Sequence, residues 1–248
     1  MTARETTVIV KDAIDSLGGG FMISPEARRA SKDLGLRGWE LYFAGRAGVL
    51  GDTNADAVAA TLAFFPPDLV RSRWESARGK VRLENAVAGF TNASHRWGRH
   101  RLGGFDRAAR LADLMAKVVR EADIVGLPLF AAWARLPLPD DPPARLVRSA
   151  HLLSEHRCGL HAIAVLATGL SPLDAIVAGP YGAENARFFQ WAEPYPRLDE
   201  PLRRRRAAAE ELTDDLVCPA YGGLTEAEAA EFVDLIADAQ RAAFSTAG

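Results

Sequence analysis

With 30 lysines and arginines against 32 aspartates and glutamates over 248 residues, the chain carries a formal charge of -2 and is long enough to bury a core without staples. That balance leaves no global positive field to draw it to nucleic acid or an anionic bilayer, so any DNA contact has to come from a local patch. No stretch approaches the ~20 apolar residues of a membrane span, and Cys158 and Cys218 share no CxxC spacing, so neither a disulfide framework nor a zinc site is indicated.

Ala, Leu and Arg dominate segments of helical period and alternating β-rich runs are nearly absent, so the predicted class is mainly α. The first residues, Met1 to Lys11, surround Thr7-Val8-Ile9-Val10 with Arg4, Glu5 and Lys11 and lack the apolar centre of a secretory leader, which predicts a soluble, cytoplasmic protein. Ser24-Pro25-Glu26 reads as a cap with proline in the first turn and opens a helix toward Asp33. A second helix is predicted from about Gly38 through Ala47, a third from Asp52 to Phe65, ended by Pro66-Pro67, and a fourth from Asp68. Lys80 to Gly104 is the least regular part, a basic stretch or crossover, whereas Phe105 to Val125 is amphipathic with Leu111, Leu114, Met115 and Val118 as its stripe.

The proline-rich passage Leu136 to Pro143 reads as a stiff connector and the best domain boundary, dividing a helical region, 1–136, from a region 144–248. Beyond it a long helix is predicted from Ala144 to Thr168, then a stop and a new cap in Gly169-Leu170-Ser171-Pro172. Leu198 to Leu212 is helical, Thr213 to Val217 with Tyr221-Gly222-Gly223 suggests a short β-wing, and Thr225 with Glu228 is a capping box for a last helix. Helix, turn, helix, helix, wing and closing helix is the element order of a degenerate winged-helix region.

Chemistry concentrates in His151-Leu152-Leu153-Ser154-Glu155-His156-Arg157-Cys158-Gly159-Leu160-His161, on a helix whose continuation, Ala162 to Ala167, is apolar on every side and therefore central. At roughly 100° per residue Ser154, Arg157, Cys158 and His161 share one face, and His156 lies over Leu152, Leu153, Leu160 and Ile163. A buried guanidinium at Arg157 needs an anion: a ligand, Glu155 or a carbonyl. The i, i+5 spacing of the three histidines turns their rings apart, so no metal site is predicted on this helix. The other candidate is Trp39 to Gly51, where Tyr42, Phe43 and Arg46 suit a pocket that stacks a flat or elongated molecule, with Phe64, Phe65, Phe130 and Trp133 as further lining or plain core.

The runs Tyr42 to Gly51 and Pro128 to Ala132, and Glu155-His156-Arg157 with His161, resemble a family of actinobacterial MarR-like helix-turn-helix proteins, over about residues 12 to 180. The resemblance implies a helical N-terminal region joined to a winged-helix region, and carries no settled activity. Members tend to have Gly-Asp-Gly where this chain has Cys158-Gly159-Leu160, and an asparagine where it has Phe64, so a carboxylate beside His161 is missing and the site is expected to be drier.

Two main readings follow. In the first, the protein binds a small organic molecule, as a carrier or as a cofactor-independent biosynthetic enzyme, with Arg46 and Arg157 holding an oxyanion and His161 or His156 moving protons. In the second it is a ligand-responsive regulator whose Arg203, Arg204 and Arg206 lie on DNA phosphates. A structural homodimer without ligand is the third. No dissociable cofactor is predicted, haem being left open, because no Rossmann glycine pattern, P-loop or nucleophile elbow is present.

Overall fold

Local signals set most helix ends in the computed structural model, which describes residues 1–245. Helix α1 (Ala3–Gly19) opens on a capping box of Thr2 and Glu5, and α2 (Pro25–Asp33) on the Ser24 cap. Helices α3 (Glu40–Ala47), α4 (Ala55–Thr61), α5 (Pro67–Arg78) and α6 (Leu83–Leu102) follow, with Asn54 capping α4 and proline starting α5. Next come α7 (Ala108–Glu121), α8 (Pro128–Ala134) and the 26-residue α9 (Pro142–Ala167), capped by Asp141. The chain closes with α10 (Pro172–Val177), α11 (Gly182–Phe188), α12 (Glu200–Val217) and α13 (Glu226–Phe244), where Ser171, Asp199 and Thr225 are the caps of α10, α12 and α13.

Three expectations need correction. Lys80 to Gly104, read as irregular, is mostly α6, a regular helix whose stripe of Ala86, Phe90, Ala93 and Trp97 is built from small residues alternating with large ones. The β-wing is not formed: Thr213 to Val217 is the end of α12, Tyr221 to Gly223 lies in a short 3-10 helix, and no strand occurs among the described residues. The helix continues there because Ala209, Thr213 and Val217, four apart, all face inward and Asp214 meets a buried arginine. Helix α9 is buried on every side only in its first part: most of its buried side chains lie between Ala144 and Arg157, whereas in the continuation Ala164 and Val165 are buried but Ile163 and Leu166 emerge at 42% and 65% exposure.

The main core lies around α9, which packs against α1, α6, α7, α8 and α12, with α13 laid on α1. Residues from both sides of the proline-rich connector share it: Leu111, Leu114 and Met115 from α7 and Trp97 from α6 join Leu146, Val147 and Ala150 from α9. Gly18 lets α1 come close, since a Cβ there would sit 2.6 Å from the Ala150 carbonyl oxygen. Residues 246–248 of the expected 144–248 region lie outside the described residues.

Candidate functional site

Ser154, Arg157, Cys158 and His161, one face of α9, line a cavity of about 890 Å³. Helix α3 contributes Tyr42 and Arg46, the turn after α4 contributes Phe64 and Phe65, and α1 contributes Lys11, Asp12 and Asp15. Arg203, Arg206 and Glu210 of α12 form the opposite wall, with Ala175, Ile176 and Phe189 from α10 and the end of α11. Met22 and Tyr42 also border a second hollow of about 690 Å³ beside Trp39 and Phe188.

Arg46 is held by a buried polar circuit. Its Nε and Nη2 donate to both oxygens of Glu155, at 2.6 and 2.8 Å, and Nη1 donates to the Tyr42 hydroxyl. Glu155 Oε1 also lies 3.0 Å from His151 Nε2, and His151 Nδ1 lies 2.8 Å from Arg148 Nη1. A guanidinium can only donate, so His151 accepts at Nδ1 and donates from Nε2, which fixes one neutral tautomer. Arg148 further donates to the Trp133 carbonyl at 2.7 Å, and the Trp133 indole donates to the Arg46 carbonyl at 3.0 Å, closing the loop. Burial alone would raise the Glu155 carboxyl, but Arg46 and His151 outweigh it and hold it down at about 2. The same burial lowers His151 and brings Arg148 down to about 10.

A second cluster joins α9 to α12. Arg157 donates to Asp214 and Glu210, each at 2.8 Å, and Lys11 donates to Asp214 at 3.1 Å. Arg206 pairs with Glu210 and donates to the Ala175 carbonyl. The Thr213 hydroxyl donates to the Ala209 carbonyl at 2.6 Å and can only accept from His161 Nδ1, at 2.8 Å. The neutral His161 thus keeps a lone pair on Nε2, 3.8 Å from Glu210 Oε1, while its ring stacks on Phe64 with centroids 5.4 Å apart. Burial, only partly offset by Glu210, lowers His161 to about 4, so the ring is neutral at pH 7. The carboxylate expected to be missing beside His161 is supplied by α12, through Glu210.

Not all the sequence candidates meet here. His156 faces away from the large cavity, packs edge-on against Phe130 at 5.0 Å, and is lowered to about 4 by burial. Phe43 and Trp133 are wholly buried core residues outside the lining, and Trp133 acts through its indole bond to the α3 backbone. Of the arginines assigned to DNA, Arg203 and Arg206 border the cavity, and Arg204 lies 3.8 Å from Glu200 on the surface. The expectation that Arg46 and Arg157 await a ligand anion is overturned, because chain carboxylates already satisfy both.

The sequence reading did not place Lys11, Asp12, Asp15, Arg148, Glu210, Thr213 or Asp214 in the site. Asp15 accepts from the Ser154 hydroxyl at 3.0 Å and looks into the cavity, open to it but ringed by protein elsewhere. Asp15 remains solvent-exposed through the cavity, and the protein surrounding it raises its carboxyl to about 6, against the field of Arg157. Its signal was present in principle, as Asp12 and Asp15 sit one turn apart beside the buried stripe Val10, Ile14 and Leu17.

A family model described as a helix-turn-helix family matches residues 9–195, α1 through α11 with most of what lines the cavity. No curated protein and no solved structure matches the chain.

Proposed function

The chain belongs to this helix-turn-helix family, and from that premise we propose that it is a small-molecule-binding member whose ligand sits in the cavity between α1, α3, α9 and α12. The observation that carries the reading is the cavity's make-up. A large hollow with an aromatic wall of Tyr42, Phe64, Phe65 and Phe189 is bordered by charged groups locked in one geometry by buried partners. Such locking serves recognition, since the groups are already ordered before a ligand arrives. The neighbouring hollow across Met22 and Tyr42 favours an elongated molecule.

Where the molecule is transformed as well as held, His161 is the group placed to move a proton: Thr213 fixes its Nδ1–H and Nε2 offers a lone pair in a dry setting. This reading needs no dissociable cofactor. Native mass spectrometry of freshly purified protein tests it. A molecule of a few hundred daltons should accompany the wild type and be lost in Ser154→Trp, which places a bulky ring in the cavity wall; protein that is empty and unresponsive to small-molecule libraries in thermal-shift assays defeats the reading.

A second reading, a MarR-like ligand-responsive regulator with the same cavity as its sensor, is favoured by family membership itself. Two of the three arginines that would grip DNA turn toward the cavity, which weighs against it.

A further inference from the structure

The charges around the cavity do not select the ligand that the two arginines suggest. Lys11, Arg46, Arg157 and Arg206 are each paired with Glu155, Glu210 or Asp214. An anionic ligand would have to displace one of these carboxylates and leave it without a partner in a desolvated setting. Asp12 and Asp15 border the same cavity, and neither has an ion-pair partner among the described residues. Asp15 accepts from Ser154 at Oδ1, and its Oδ2 has no hydrogen-bond donor among the described residues. Arg203 borders the cavity unpaired as well and, like Asp12 and Asp15, is solvent-exposed, so two unpaired carboxylates stand against one unpaired guanidinium.

We propose that the cavity selects a cation: a protonated amine on an aromatic body, its ammonium seated on Asp15 with Asp12 behind, and its ring against Tyr42, Phe64 and Phe65. The assignment rests on the cavity being a ligand site and specifies what that site takes. An ammonium fits because it brings two or three donors to a carboxylate that has one free oxygen, and because ring faces beside it attract positive charge. A metal ion is the other cation to consider, but among the described residues no three His, Cys, Asp or Glu side chains converge as one would require. The field at Asp15 comes from Asp12 on its own helix, Arg157 and Cys158 on α9, Glu210 on α12 and Tyr221 after it. With its carboxyl at about 6, Asp15 is ionised at pH 7.5 and mostly protonated at pH 5.

Isothermal titration with tryptamine and indole-3-propionate, near-isosteric probes of opposite charge, tests this on the full chain. Tryptamine should bind about tenfold or more tightly at pH 7.5, and lose about tenfold at pH 5 as Asp15 takes up its proton. Asp15→Asn should abolish both the preference and the pH response; because the residue is solvent-exposed and the asparagine oxygen can still accept from Ser154, it should fold as well as the wild type. If indole-3-propionate binds as tightly as tryptamine, the cation assignment is overturned, while loss of that binding in Ser154→Trp keeps the cavity as a ligand site. If neither probe binds, the assignment also falls, and the ligand-site reading falls with it when native mass spectrometry finds the cavity empty.

Discussion

At the scale of single residues, the decisive fact is that Glu155 serves Arg46 and His151 at once, deep in the core. Glu155→Gln leaves a buried guanidinium without its counter-charge, so a loss of about 3–5 kcal/mol is expected in urea unfolding. Replacing Arg46 and Glu155 together by Met and Leu should cost less than the sum of the single changes, since no orphan charge remains. The histidines set the acid limb. His156 and His161 are lowered to about 4 in the folded chain, so the unfolded state takes up protons first; the stability they contribute is whole above pH 6.5 and lost as pH falls toward 4, on the order of 3 kcal/mol each. Glu155 is depressed and matters lower, between about 4.5 and 2, whereas Asp15 is raised and opposes the histidines between 3.8 and about 6. His156→Leu should therefore flatten the fall in unfolding free energy between pH 6.5 and 4, and an unchanged slope would contradict this account. That Arg46 and Arg157 are buried was legible from the helices they sit on. Their partners were not, because Glu155 lies 109 residues from Arg46 and Asp214 lies 57 from Arg157, and helical periodicity says nothing about which faces meet.

At the scale of elements, glycines in the helices mark where backbones touch. A methyl group at Gly18 would lie 2.6 Å from the Ala150 carbonyl oxygen and 2.9 Å from the His151 nitrogen, main-chain atoms of α9 that cannot swing aside. Gly18→Ala should cost about 1–3 kcal/mol despite the better helix propensity of alanine. It should also push α1 from α9 and loosen the Asp15 to Ser154 bond, so weaker amine binding is expected along with the lower melting temperature. Wild-type stability in this variant would mean that the helices do not sit this close. The same glycines explain what the sequence concealed. In α6, Gly89 receives the Leu34 side chain and Gly98 the Pro143 carbonyl, and such residues read as helix breakers when the partner is out of view. Helix starts carried by caps, Ser24 before Pro25, Ser171 before Pro172 and Thr225 with Glu228, were readable because a cap is a local interaction over three residues. Thr213 to Val217 misled for the opposite reason: β-propensity was overridden by burial against α9.

At the scale of the whole molecule, the cavity is assembled from helices on both sides of the connector, so one folded unit makes the site, and family membership raises whether that unit also holds DNA. The charge distribution answers in part. The net charge is -2, Arg206 is engaged by Glu210 and the Ala175 carbonyl, Arg203 borders the cavity, and Arg204 lies beside Glu200. A protein neutralising six to ten phosphates loses roughly 10³–10⁵ in affinity between about 50 and 200 mM salt, and this surface offers fewer cations than that on any one helix. Genomic fragments should accordingly be held weakly and without selectivity near 50 mM salt and released near 200 mM, with a shallow salt slope that Arg204→Ala barely alters. Nanomolar, sequence-selective retention at the higher salt would overturn this, and would make the cavity the sensor of a regulator whose DNA contacts lie elsewhere, the exposed side of α11 with Arg187 being the first place to substitute.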